Sequence, residues 1–153
     1  MRIGTVRHYI LRDIKAQYSD AGTGAWSQEM KDNYVAFCSL LWHPTEERLY
    51  CGITAPNSDV LAKFNPATKS FEPLDYRPVA EPFEVKVHRA LELASDGTVY
   101  GATSCLYGLH ERRQAPGGAI FRVRPGGQPE KLAVPVKHDY IQTITLDDQR
   151  NLI

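Results

Sequence analysis

The sequence predicts an all-β protein built of four-stranded antiparallel β-propeller blades. Three observations carry that expectation. An apolar strand, a charged or glycine-bearing turn and a second apolar strand recur three times, at 37–54, 84–104 and 140–153. The recurrences are about 50 residues apart. Helical periodicity is nearly absent, and its one short candidate is "SQEMKDN" at 27–33.

Each element follows from local chemistry. In "EVKVHRALELASDGTVYGATS" (84–104), Leu91 and Leu93 alternate with polar neighbours, Ser95-Asp96-Gly97 makes a turn, and Val99-Tyr100 opens the return strand. "FCSLLWHPTEERLYCGIT" (37–54) and "YIQTITLDDQRNLI" (140–153) repeat the pattern. Tyr50 and Tyr100 are 50 residues apart, and Val99 and Leu152 are 53 apart. "KDNYV" at 31–35 and "KHDYI" at 137–141 share Lys-x-x-Tyr and a β-branched residue, 106 positions apart, which is twice 53. The midpoint of Tyr34 and Tyr140 is residue 87, so His88 stands at the equivalent strand entry in the middle repeat.

A second hairpin follows in each complete repeat. "DVLAKFNPATKSFEPL" (59–74) turns at Asn65-Pro66-Ala67-Thr68, and "GAIFRVRPGGQPEKL" (118–132) turns at Pro125-Gly126-Gly127. Two hairpins in about 50 residues make a propeller blade. A β-sandwich predicts no such period, and a β-helix needs shorter rungs. The expected divisions are an N-terminal segment at 1–33, supplying outer strands of a neighbouring blade, blades at 34–86 and 87–139, and the start of a further blade at 140–153.

These repeats resemble the blades of Kelch-like and quinoprotein-like propeller proteins, which often read Asp-Gly-x-hydrophobic-Tyr and then Phe-x-x-Asp-Pro-x-Thr. The resemblance covers residues 34–153 and speaks to fold, not function. Within that fold, a strand-opening His88 followed by His110 in the next long loop resembles propeller polysaccharide lyases such as the ulvan lyases. Two full repeats and the start of a third do not close a ring, since propellers typically have 4–8 blades. The expectation is part of a larger propeller, completed by a missing segment or by self-association.

Composition narrows the function classes. Hydrophobic residues are 42% and charged residues 24% of 153, an ordinary globular balance. Lys plus Arg equals Asp plus Glu at 18 each, so no global charge steers the chain to nucleic acid or a membrane surface. No apolar run approaches the ~18 residues of a membrane span. "MRIGTVRHYILRDIK" has no apolar core of a signal peptide, and the compartment stays open. Cys38, Cys51 and Cys105 form no CxxC and read as three buried thiols.

Antiparallel alternation puts first-strand entries and the loops between second and third strands at one end of a blade. That end collects Lys31 and Tyr34, then Lys86, His88 and Arg89, then Lys137, His138 and Tyr140. The long loop "SCLYGLHERRQAPG" (104–117) adds Tyr107, His110, Glu111, Arg112 and Arg113. His43 falls at the opposite end, among solvated turns. Each candidate has a plain structural alternative: His88 as a strand-end residue, the tyrosines as packing repeats, Arg112 and Arg113 as solvated charges.

A cationic rim bearing Tyr and His suits an acidic, hydroxyl-rich ligand such as a uronate polysaccharide. A lyase needs a carboxylate clamp, a base and an acid. His88, His110 and Tyr140 are the expected catalytic residues; Arg89, Arg112, Arg113, Tyr34, Lys137 and His138 are the expected substrate contacts. The alternative is a non-catalytic propeller module binding a protein or glycan on the same face. A third reading is a metal site using His88, His110 and Cys105. The residues name no cofactor.

Overall fold

A computed structural model describes residues 35–55, 58–80, 84–105 and 114–147. Its strands are β1 (Ala36–His43), β2 (Arg48–Thr54), β3 (Leu61–Asn65), β4 (Ser70–Pro73), β5 (Glu84–Leu93), β6 (Val99–Cys105), β7 (Ile120–Val123) and β8 (Pro129–Ala133). A 3-10 turn spans Arg77–Val79. All strand pairs are antiparallel, and the sheet curls into a half-barrel consistent with a partial β-propeller. Each of two blades, β1–β4 and β5–β8, is a four-stranded meander.

The turns form where side chains supply their hydrogen bonds. Asn65 Oδ1 accepts from the amides of Ala67 and Thr68. Asp96 Oδ1 accepts from the Thr98 amide at 2.9 Å, and Gly97 takes φ 83°.

The blades pack face to face. Tyr50, Leu61, Leu74 and Tyr76 of the first meet Val87, Leu91, Val99, Phe121 and Val123 of the second in one core cluster. Two glycines thin this interface. A Cβ on Gly52 would run into Ser39 and the Val87 carbonyl oxygen at 2.9 Å, and one on Gly101 would enter the Phe121 ring. The Tyr-Cys-Gly and Tyr-Gly-Ala steps therefore place their glycines on opposite sides of the same seam.

Two departures from expectation have clear causes. The blades are not wholly separate sheets. Beyond the Gly52–Leu61 pair β3 leaves the edge of β2, and β5 enters there through one pair, Thr54 with Lys86. Ala55 N–H then donates to the Val85 carbonyl at 2.8 Å. Second, residues 141–145 do not form the expected third first-strand. Hydroxyl groups hold this segment instead: Ser104 Oγ donates to the Ile141 carbonyl at 2.6 Å, and Thr143 Oγ1 to the Arg89 carbonyl at 3.0 Å. Ile144 is buried against Ala90 and Ala102.

Three contacts between repeats share one interval. His43 to Gly97, His88 to Gln142 and Arg89 to Thr143 each span 54 residues. His43 is a buried strut at the opposite end from His88. Its Nδ1 accepts from the Glu46 amide at 3.1 Å, so Nε2 carries the proton and donates to the Gly97 carbonyl at 2.9 Å. Cys51 and Cys105 are buried, while Cys38, beside the irregularity in β1, is half-buried and departs from the reading of three buried thiols.

Candidate functional site

His88 and Arg89 lie in a β-bulge midway along β5, not at the strand entry expected from the repeat, because the strand already begins at Glu84. Val87 pairs with Thr103 and Leu91 pairs with Gly101, so β5 spends four steps where β6 spends two. Arg89 takes φ 49°, a left-handed conformation that costs a non-glycine residue about 1–3 kcal/mol. Bulges of this kind re-aim side chains and recur near active sites. The bulge turns His88 and Arg89 outward between Val87 and Ala90, which stay buried.

The segment after β8 holds the bulge in place. Gln142 Oε1 can only accept, so His88 Nδ1 carries the proton of their 3.1 Å hydrogen bond. Nε2 is then the basic nitrogen, and among the described residues it has no hydrogen-bond partner. Thr143 caps the Arg89 carbonyl from the same segment. Partial burial, chiefly, then the neighbouring Lys86 and Arg89 charges, holds the His88 imidazole below its ordinary range against the opposing bond from Gln142.

Three further expected residues sit on that segment. Tyr140 is 45% exposed, two residues before Gln142. His138 takes φ 60°, with its Nδ1 2.8 Å from the Ala115 carbonyl. Lys137 is exposed beside it. The Gly118 amide donates to the Asp139 carbonyl at 2.7 Å and ties the segment to the strand-entry end of the second blade. Tyr34, His110, Arg112 and Arg113 lie outside the described residues. Among the described residues no group of three His, Cys, Asp or Glu side chains is set to hold a metal, and the Cys105 thiol donates to the Gly117 carbonyl.

Gln142 and Thr143 were not among the residues expected from sequence. The sequence carried no signal for them, since their spacing of 54 from His88 and Arg89 emerges only from the hydrogen bonds and differs from the 50 and 53 of the repeat. At the start of β5, four residues before His88, Glu84 is fully buried. Its carboxylate accepts from Thr103 Oγ1 at 2.9 Å and Tyr76 OH at 3.4 Å, with Lys131 Nζ at 3.8 Å. Burial and this carboxylate push the Tyr76 hydroxyl well above its ordinary range. Arg77 spans the same end, donating to the carbonyls of Glu84 and Ala55 at 3.1 and 2.7 Å.

The His88 titration gives a direct check. Its folded-state pKa is depressed, so the folded chain binds fewer protons than the unfolded one. The associated stability is present above about pH 6.5, the unfolded value, and is lost as pH falls through the window below it. An NMR titration should place the His88 midpoint below ~6.5, and Lys86→Gln should raise it. A wild-type midpoint at or above that value contradicts the electrostatic account.

No family model matches the chain, and no curated protein matches it. A structural match is to the extracellular domain of the putative one component system BT4673 from B. thetaiotaomicron, at 15% identity and a TM-score of 0.46. It covers 77% of this chain, and the chain spans 14% of the length of that one.

Proposed function

We propose that this chain supplies the ligand face of a carbohydrate-active propeller and acts as a lyase on uronate-containing polysaccharides. The observation that carries the reading is the His88–Gln142 hydrogen bond. It fixes the tautomer that leaves Nε2 basic, in a strained bulge flanked by cations. A base held neutral near physiological pH is what proton abstraction beside a carboxylate requires.

In this mechanism Arg89 and Lys137, with Arg112 and Arg113, neutralise the uronate carboxylate. His88 Nε2 takes the proton α to it. The electron pair left behind forms the C4–C5 double bond as the C4–O bond breaks. Tyr140 OH protonates the departing oxygen, and solvent returns the proton from His88 to Tyr140. His110, Tyr34 and His138 complete the sugar contacts.

The test is a uronate-polysaccharide assay that follows ultraviolet absorbance of the unsaturated product. His88→Ala should lower turnover by about 10²–10⁴-fold, the usual contribution of a general base. Stability should change by no more than ~0.5 kcal/mol, as for a surface substitution. A destabilised but fully active variant refutes the site reading. Binding without turnover in the unsubstituted protein establishes the alternative, a non-catalytic module on the same face.

A further inference from the structure

We propose that residues 1–34 of this chain cover the open apolar face of the first blade. Cross-strand register puts Phe37 opposite Ile53, Leu40 opposite Cys51 and Trp42 opposite Leu49 on that face. Leu49 is paired with Phe64, and Phe64 with Phe71. The Phe71 ring packs on Phe37 at 5.5 Å and on Phe64 at 5.0 Å. Cys51, Ile53 and Ala62 at the centre of this face are buried, yet Phe37, Leu40, Trp42 and Phe71 along its β1 and β4 margins are 46%, 61%, 47% and 54% exposed. Four large apolar side chains on one contiguous face mark a docking surface, not scattered surface residues.

The second blade shows what belongs there. Its equivalent face carries Leu91, Val99, Phe121 and Val123, and Val99, Phe121 and Val123 are fully buried. What covers them is the chain preceding β5, through Tyr50, Leu61, Leu74 and Tyr76. Leu40 pairs with Cys51 as Leu91 pairs with Gly101, so Leu40 and Leu91 are equivalent positions. The covering Leu61 precedes Leu91 by 30 residues, and Ile10 precedes Leu40 by 30. Ile10 stands in "HYILRDI" as Leu61 stands in "DVLAKF", an apolar run followed by charge. Residues 1–34 join the face directly at Val35, and they outnumber the residues of β2 to β4, at 48–73, that do most of the covering in the second interface. The same step that buries the second blade therefore places the N-terminal segment on the first.

The chain has two tryptophans, so Trp26→Phe in the full-length protein leaves Trp42 as the sole reporter. Its acrylamide quenching is read over a dilution series alongside sedimentation velocity. The expected result is a several-fold lower quenching constant than free tryptophan amide, independent of concentration. Ile10→Asp should raise the constant without changing the sedimenting species. Because that variant risks misfolding, benzoylphenylalanine placed at position 40 of the otherwise unsubstituted chain gives a second measurement. Photo-crosslinks within one chain to residues 1–34 support the proposal. Free quenching of Trp42, protection that appears only as concentration rises, or crosslinks to a second copy would overturn it.

Discussion

Phe121→Ala is expected to destabilise the protein by about 3–5 kcal/mol, the range for emptying a buried aromatic site. Phe121 is fully buried at the seam between the blades. Its ring lies 5.0 Å from the Tyr76 ring and occupies the space left open by Gly101. The surroundings cannot collapse into the void easily, because strands on both sides are fixed by their ladders. Urea unfolding would read the loss as a lower midpoint at constant slope. A cost under about 1 kcal/mol would mean that the two faces do not pack as described.

Glu84→Ala should be comparably severe. Removing one member of a buried charged group typically costs about 3–5 kcal/mol, because its partners stay buried without it. Here Tyr76 OH and Lys131 Nζ lose an acceptor, while Thr103 Oγ1 keeps the Ala119 carbonyl at 3.4 Å. Glu84→Gln, which keeps an acceptor oxygen, should recover part of the loss. Thermal melts of both variants would separate the roles of shape and charge. A loss within ~0.5 kcal/mol for the alanine variant would show that the carboxylate is dispensable.

How much of this was legible in the sequence depended on range. The turns were readable because Asn65, Asp96 and Gly97 act on their own neighbours. The four-stranded meanders were readable because alternation and turns recur at a fixed spacing. The bulge at His88 and Arg89 was not, since it exists only relative to the register of β6. In the sequence Val87-His88-Arg89-Ala90 reads apolar-polar-polar-apolar, and nothing local says how many β6 residues those four positions face. Nothing in the sequence singled out Glu84, because the Tyr76, Thr103 and Lys131 groups that make its burial tolerable come from distant parts of the chain. The 141–145 segment has strand composition, yet hydroxyl contacts and Ile144 hold it outside any ladder, and Leu146 forms an isolated β-bridge. Of the candidate site, His88, Arg89, Lys137, His138 and Tyr140 fall within the described structure, and Gln142 joins them.

The single Thr54–Lys86 stitch has a consequence for how the molecule assembles. Among the described residues every other strand ladder joins strands adjacent in sequence, so most ladder bonds close short loops at small entropic cost. The apolar cluster, by contrast, draws on both blades from Tyr50 to Val123. Strand formation and cooperativity therefore reside in different contacts. A chain with a weakened seam keeps its hairpins and loses the all-or-none transition, becoming two loosely tethered meanders with exposed apolar faces.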